Sequence, residues 1–242
     1  VGSEMCIRDR FSWDGGHPTS NSWGSLENWD PDGVPAFTNT ADLTFNTLTR
    51  PTGFIAENVT VRSLAFGANI DGAVAVRLVG FPAPTFAQAA RSLTFDTDTG
   101  NATVTVDAGA TGDINIGSAA GDTGAFGNPI LADNLVVDHN GSGLLLFNRP
   151  FQAAAFGITK NGTGTMQTNN NNLLTGALNI NAGTFVANSF TATGDDLDNF
   201  SAVNLDGGTL QIGASTGVAK TYNLVPLNVN SASTLEYKNA SA

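Results

Sequence analysis

The sequence predicts an all-β protein whose chain coils as a parallel β-helix (β-solenoid), and three observations lead to this fold class. Gly, Thr and Asn number 28, 28 and 26 among the 242 residues, whereas charged residues make up only 13 %. Thr favours strands, and Gly and Asn favour tight turns. Apolar and polar residues alternate over many short stretches, as in half-buried strands. Similar segments also recur at intervals of about 20–30 residues, as expected when each coil stacks on its neighbour.

The first ten residues, VGSEMCIRDR, are set apart from this fold prediction. Back-translated, they fit one reading frame of a widely used transposase sequencing adapter, so residues 1–10 are interpreted as an adapter artefact. The chain is then expected to be a metagenomic gene fragment, and its only cysteine, Cys6, to be foreign to the natural protein. Without that cysteine, neither a disulfide nor a Cys-ligated zinc site is expected.

Residues 11–50 are predicted to form a Trp-rich N-terminal cap. All three tryptophans of the chain, Trp13, Trp23 and Trp29, fall in this segment among Asp and Asn residues. As a cap they would cover the apolar end of the first coil, which otherwise faces water. The alternative is a glycan contact, because aromatic rings with polar neighbours can stack on sugars.

Residues 51–242 are predicted to form the solenoid repeats. Apolar residues two positions apart mark short strands, and Gly-, Asn- and Asp-rich breaks separate them. Asn-Gly and Asp-Gly dipeptides also occur, so a β-sandwich with hairpin turns is the alternative fold. The strand signals are Val59/Val61, Leu64/Phe66, Val74/Val76, Leu93/Phe95, Val104/Val106, Ile114/Ile116, Leu135/Val137, Leu178/Ile180, Phe185/Ala187, Val203/Leu205, Leu210/Ile212 and Leu227/Val229.

Two pairs of similar segments indicate the repeat. INAGTFVAN at 180–188 returns as LDGGTLQIG at 205–213, a spacing of 25 residues. VRSLAFGAN at 61–69 returns as ARSLTFDTD at 90–98, a spacing of 29 residues. If each copy is one coil, the paired copies are expected to lie on neighbouring strands.

The clearest repeat, GITKNGTGTMQTNNNNLLTGALNINAGTFVAN at 157–188, resembles the autotransporter-associated β-strand repeat. That pattern is a Lys-x-Gly-x-Gly-Thr entry, a Thr-Gly corner and then Ile-x-x-Gly-Thr-Leu. This chain departs from it at Met166, at the TNNNN run and at Phe185. The stretch is interpreted as one rung, with its Asn run as a polar corner whose amides can stack. The matching positions are Lys160, Gly162, Gly164, Thr165, Thr175, Gly176, Ile180, Gly183, Thr184 and Phe185, with Leu205, Gly208, Thr209 and Leu210 as a partial second copy.

The resemblance implies a fold, a location and a role. Members of this family are secreted passenger regions of bacterial surface proteins, folded as right-handed parallel β-helices, with no catalytic role attached to the repeat. The opening segment at 11–45 resembles the Trp-rich start of such proteins. The chain is therefore expected to be a structural or adhesive region at the bacterial cell surface, associated with the outer membrane through parts outside this sequence. Its expected partners are surface glycans or other cell-surface proteins.

The charge of the chain excludes other partners. The net charge is −11, so both nucleic acid and an anionic membrane surface would repel the protein. No run of 18 apolar residues occurs, so no membrane contact is expected within this sequence.

Catalytic residues are sought in the acidic and histidine-containing segments. Asp195 and Asp196 could serve as the two carboxyls of a polysaccharide-degrading β-helix enzyme, the alternative function. The Gly-His-Gly and Arg-x-Lys motifs of polygalacturonases are absent, however. Asp138 and His139, with Ser142 nearby, have the residue types of a triad, but neighbours on a strand point to opposite faces. No catalytic residue is predicted.

Metal and ice binding are weakly indicated. Asp96 and Asp98 alternate like the start of a calcium loop, but the Gly and Glu that such a loop requires are missing. Asp198, which follows Asp195 and Asp196, completes a second acidic cluster that is interpreted as a solvated corner. Thr-x-Thr pairs are spaced too irregularly for an ice-binding face. Neither a metal site nor a cofactor is predicted.

Overall fold

The structure is a computed structural model. It describes residues 10–47, 49, 51–55, 57–77, 90–117, 127–152, 154–169, 172–188, 197, 199–213, 225–230 and 232–238. Within these ranges the chain forms 21 short strands and one 3-10 helix, Leu26–Asn28. The strands are β1 (Arg10–Trp13), β2 (Trp29–Asp30), β3 (Asp42–Phe45), β4 (Thr52–Phe54), β5 (Val59–Val61), β6 (Ser63–Phe66), β7 (Val74–Arg77), β8 (Leu93–Phe95), β9 (Ala102–Val106), β10 (Ile114–Gly117), β11 (Pro129–Leu131), β12 (Leu135–His139), β13 (Leu144–Phe147), β14 (Ile158–Asn161), β15 (Thr165–Thr168), β16 (Ala177–Ile180), β17 (Thr184–Ala187), β18 (Ala202–Leu205), β19 (Thr209–Gly213), β20 (Leu227–Val229) and β21 (Thr234–Lys238).

Three sheets contain these strands. Sheet A has ten strands in the order β2-β1-β3-β6-β9-β12-β14-β16-β18-β20, sheet B has eight in the order β21-β19-β17-β15-β13-β10-β7-β4, and sheet C has β11-β8-β5. Among the described strands, only β1 and β2 pair antiparallel. The prediction of an all-β chain with parallel sheets is therefore confirmed. The β-sandwich alternative is wrong, because it requires consecutive strands to pair as hairpins.

The chain visits the sheets in a regular order. From β3 to β11 it runs from sheet A to B to C three times, and from β12 onwards it alternates between A and B. We call a strand in sheet A followed by a strand in sheet B one pass. Sheet A also includes β1 and β3, so parallel pairing extends into the segment 11–50.

The register confirms the 25-residue repeat. Ile180 lies opposite Leu205, and Phe185 lies opposite Leu210. The 29-residue repeat is wrong, because its two copies lie in different sheets: Leu64 is in sheet A, whereas Leu93 is in sheet C. Both strands show the same alternation of buried and partly buried residues, so the pattern alone could not distinguish the sheets.

The stretch 157–188 holds two passes, not one rung. Its strands are β14 and β15, followed by β16 and β17, and the two passes are direct neighbours. The interpretation as a single rung is therefore wrong. A pass that visits only sheets A and B needs as few as 19 residues, since Thr165 lies opposite Thr184.

Buried residues form one continuous core between the sheets. Alternate residues of each strand point inward, so residues at one register position form a column across successive strands. One inward column of sheet A contains Val104, Val137, Lys160, Ile180 and Leu205. Burial of each apolar member stabilises the fold by about 1.5–3 kcal/mol.

The last described pass leaves its column positions open to water. Val229 continues the inward column of sheet A, and Leu235 continues that of sheet B. They are 52 % and 50 % exposed. Among the described helices, none is long and apolar enough to cross a bilayer.

Candidate functional site

The three tryptophans lie in the core. Their exposure is 3 % for Trp13 and 0 % for Trp23 and Trp29. The Trp29 ring packs edge-on against Trp13 at 5.1 Å and against Trp23 at 5.7 Å, and its Nε1 donates a hydrogen bond to Trp23 O at 2.8 Å. Phe37 and Phe45 complete the cluster. No indole face is open to a sugar, which argues against the glycan contact and fits side chains that close one end of the core.

A buried lysine lies at the corner between β14 and β15. Lys160 is 0 % exposed in an otherwise apolar column. Its Nζ donates to Asn161 O at 2.6 Å, to Gly162 O at 2.8 Å and to Ala182 O at 3.3 Å. These carbonyls belong to the corners of two successive passes. Burial lowers the pKa of Lys160 to about 8, with the Asp138 charge opposing this effect.

His139 lies buried beside this corner. It is 0 % exposed, and neither ring nitrogen makes a hydrogen bond of good geometry with the described residues. Burial lowers the pKa of His139 to about 4, and the Lys160 charge acts in the same direction. A Cβ on Gly164 would come within 2.8 Å of the imidazole, so this glycine provides space for the ring. Asp138 is partly exposed where His139 is buried, which agrees with the reason given against a triad.

The residues that match the autotransporter-associated repeat lie on strands or in the corners between them. Lys160, Ile180, Phe185, Leu205 and Leu210 point inward, and Thr165, Thr184 and Thr209 point outward. Gly162, Gly164, Gly183 and Gly208 lie in the corners between sheets A and B, and Gly176 precedes β16. Gly183 has φ +66°, and a Cβ there would overlap the carbonyl oxygens of the preceding corner.

Asparagine side chains form ladders on the outside of the sheets. On sheet A, Asn228 donates to Asn204 at 2.7 Å, Asn204 donates to Asn179 at 2.7 Å, and Asn179 donates to Thr159 at 3.3 Å. A second ladder beside sheet B joins Asn148, Asn169 and Asn188 at 2.7 and 3.2 Å. Stacking by Asn169 agrees with the prediction for the Asn run; residues 170 and 171 lie outside the described residues.

A column of threonines lies on the outside of sheet B. Thr165, Thr184, Thr209 and Thr234 occupy one register position on four neighbouring strands. The search for Thr-x-Thr pairs missed this column, because its members lie on different strands rather than along one strand. Only the register reveals it.

A polar groove lies on the outside of sheet A near the N-terminal end. Its larger depression, of about 640 Å³, is lined by Asp42, Ser63 and Thr103 on three neighbouring strands, together with Arg62 and the loop at 97–101. A smaller depression of about 300 Å³ is lined by the next outward residues of the same strands, Thr44, Ala65 and Thr105.

Asp42 and Arg62 form an ion pair within the lining of this groove. Asp42 accepts hydrogen bonds from Arg62 Nε at 2.9 Å and Ser63 Oγ at 2.6 Å, and it also pairs with Arg62 Nη2. Burial raises the pKa of Asp42, but the bonds from Arg62 and Ser63 outweigh it, so the pKa is lowered overall. The carboxylate therefore stays ionised at neutral pH.

Asp96 and Asp98, which alternate like the start of a calcium loop, lie in the loop that follows β8. Burial raises the pKa of Asp96, and its contact with Asp133 adds to this, whereas Asp98 accepts a hydrogen bond from Asn39 at 2.6 Å. Within the described ranges, no group of three or more His, Cys, Asp and Glu residues is arranged to hold a metal ion. Asp195, Asp196 and Asp198 lie outside the described residues.

Comparison of the chain with known protein families, with curated proteins and with solved structures found no match.

Proposed function

We propose that the chain is a non-catalytic structural or adhesive region of a secreted bacterial surface protein, built as a right-handed parallel β-helix. The observation that supports this proposal best is the in-register stacking of parallel strands in sheets A and B. In such a fold each pass adds hydrogen bonds and buried apolar area to its neighbours, which makes a stiff scaffold. Its corners and outer faces would present contacts to surface glycans or other cell-surface proteins.

The resemblance to the autotransporter-associated repeat supports the location. Lys160 offers a physical reason for the Lys-x-Gly-x-Gly-Thr entry, because a charged donor there satisfies carbonyls at two stacked corners. This role is structural and needs no substrate. It is compatible with a passenger region, to which no catalysis is attached.

Sequencing the source DNA across both ends of this chain tests the function. We expect a signal peptide upstream, and further repeats followed by a barrel or anchor downstream. A catalytic domain in place of the barrel or anchor would make these repeats the spacer of an enzyme.

A crystal structure of the chain tests the fold. The expected result is a right-handed crossover at every passage between sheets A and B. Left-handed crossovers, or hairpin pairing between consecutive strands, would contradict the β-helix.

The enzymatic alternative has its own test. We expect no turnover of acidic polysaccharides such as polygalacturonate by the purified chain. Turnover that disappears in Asp195→Ala or Asp196→Ala would favour the polysaccharide-degrading alternative.

A further inference from the structure

We propose that the groove on the outside of β3, β6 and β9 binds a neutral oligosaccharide. This inference rests on the adhesive role proposed above and names the surface and the class of glycan that it would bind. It also places a glycan contact away from the three tryptophans, whose rings are buried.

Side-chain size explains why a depression forms here. The outward residues of the central strand β6 are Ser63 and Ala65, which are small. Longer side chains stand on either side, with Arg62 and Asp42 on one side and the loop at 97–101 on the other. The two depressions follow the same three strands and lie end to end.

The length of the groove suits a short linear ligand. The two depressions are lined by residues two positions apart on each strand, a separation of about 7 Å. Their volumes of about 640 and 300 Å³ together lie in the range of small-molecule sites.

The wall of the groove is held in place by contacts of its own. Asn39 Nδ2 donates to Asp98 Oδ1 at 2.6 Å, which links the segment before β3 to the loop after β8. Thr97 N donates to Asp133 Oδ2 at 2.8 Å, and Thr97 Oγ1 donates to Thr99 O at 3.2 Å. Binding would therefore require little ordering of this loop, which lowers its entropic cost.

The chemistry of the lining selects a ligand rich in hydroxyl groups. Hydroxyls of Thr99 and Thr103, the amide of Asn101 and the ion pair of Arg62 and Asp42 offer both donors and acceptors. A sugar hydroxyl needs both. The net charge of −11 disfavours anionic polymers, so a neutral saccharide fits best.

Other occupants fit less well. A peptide strand binds by pairing with a sheet edge, whereas β3, β6 and β9 are already paired on both sides. Neither Trp nor Tyr is among the described residues that line the groove, and Phe66, which borders the smaller depression, is only 1 % exposed, so no open ring face is available for stacking. Affinity is therefore expected to be weak, with a dissociation constant of about 1 mM.

Titration of the ¹⁵N-labelled full chain tests the proposal. The neutral probes are maltotriose, cellotriose, xylotriose and triacetylchitotriose, and trigalacturonate is the anionic comparison, each up to about 10 mM, ten times the expected dissociation constant. At least one probe should shift the amides of Ser63, Asp98 and Thr103 in a saturable way and leave Asn179 unchanged. The proposal is overturned if none of the four does so, if the shifts lie elsewhere, or if only trigalacturonate binds.

Two matched variants localise the site. Thr103→Tyr fills the groove and should abolish the shifts. Thr159→Tyr places the same change in the same outward column, two strands beyond Thr103, and should leave binding intact. Both residues point outward, so both variants should fold. Equal binding by the two variants would contradict the proposal.

The variant Asn101→Ala tests separately whether the loop at 97–101 contacts the sugar. Asn101→Ala removes one side chain from an exposed position in the loop. Loss of one hydrogen bond should weaken binding about five-fold. An unchanged dissociation constant in this variant would mean that the loop does not contact the sugar.

Discussion

At the scale of single residues, the corner around Lys160 concentrates the polar chemistry of the core. Lys160 and His139 are both 0 % exposed among apolar neighbours. Burial lowers the pKa of both side chains and so favours their neutral forms. The lysine compensates through three hydrogen bonds to backbone carbonyls, whereas the imidazole nitrogens have no such partner among the described residues. The two groups therefore give different predictions.

Lys160→Met is expected to lower the free energy of unfolding by about 2 kcal/mol, because it leaves carbonyls of two corners without their charged donor. Urea denaturation measures the change. Ile180→Met, the next residue in the same column, is the control and should cost less than about 1.5 kcal/mol. A Lys160→Met variant as stable as the wild type would show that relief of desolvation offsets the lost bonds.

The lowered pKa of His139 predicts that the folded protein loses stability in acid. Its folded pKa of about 4 is below the unfolded value of 6.5, so between these pH values the unfolded chain binds more protons. Stability should therefore fall by about 3 kcal/mol as the pH drops from 6.5 to 4. The measurement compares denaturation of the wild type and His139→Leu across this range. Identical pH profiles would contradict the prediction.

Alanine substitutions at Gly183 and Gly100 distinguish the cost of steric crowding from the cost of backbone strain. Both have positive φ, +66° and +92°, but a Cβ on Gly183 would lie 2.5 Å from Gly164 O, whereas nothing lies within 4 Å at Gly100. Gly100→Ala should cost about 1–2 kcal/mol from strain alone. Gly183→Ala should cost at least about 3 kcal/mol, since the backbone of the preceding pass must move. Equal thermal midpoints for the two variants would exclude crowding at the corner.

At the scale of elements, the outward columns stabilise the stacking of one strand on the next. The Asn column of sheet A joins four neighbouring strands by side-chain hydrogen bonds of 2.7–3.3 Å. Each bond links residues 20 to 25 positions apart in sequence. The ladder therefore favours one register, since a slip of one residue would turn the amides inward.

Asn204→Thr tests the ladder. Asn204 donates one bond and accepts another, whereas Asn228 at the end of the ladder donates one bond to Asn204. Threonine preserves strand propensity and already occupies this column at Thr159. Asn204→Thr should cost about 1–2 kcal/mol, roughly twice the loss in Asn228→Thr. If neither variant shifts the urea midpoint, the amides contribute nothing to stability.

At the scale of the whole molecule, the buried core and the net charge of −11 are the features that bear on what the chain can bind. The aromatic cluster of Trp13, Trp23 and Trp29 is part of the buried core. Val229 and Leu235 are half exposed on the last described strands of their sheets.

The net charge of −11 predicts that the chain does not bind duplex DNA or anionic lipid vesicles at physiological salt. Co-sedimentation with phosphatidylserine vesicles and a gel-shift assay with DNA measure this. Binding that weakens as salt is raised would reveal a local basic surface that the net charge conceals.

The sequence by itself determined the all-β class, the strands marked by apolar residues two positions apart, and the 25-residue spacing between 180–188 and 205–213. Alternation of apolar and polar residues depends only on local geometry, so strands such as β9 and β12 could be predicted. The pairing of Ile180 with Leu205 could also be predicted. Both residues lie in sheet A, and in both passes the matching residue of sheet B follows five positions later.

Tertiary structure alone decided which sheet each strand joins. Leu64 and Leu93 have the same local pattern, yet their strands pair in different sheets. The burial of the tryptophans, the position of Lys160 within the core and the groove over β6 likewise depend on neighbours distant in sequence. Stacking register sets these contacts, and no local pattern encodes it.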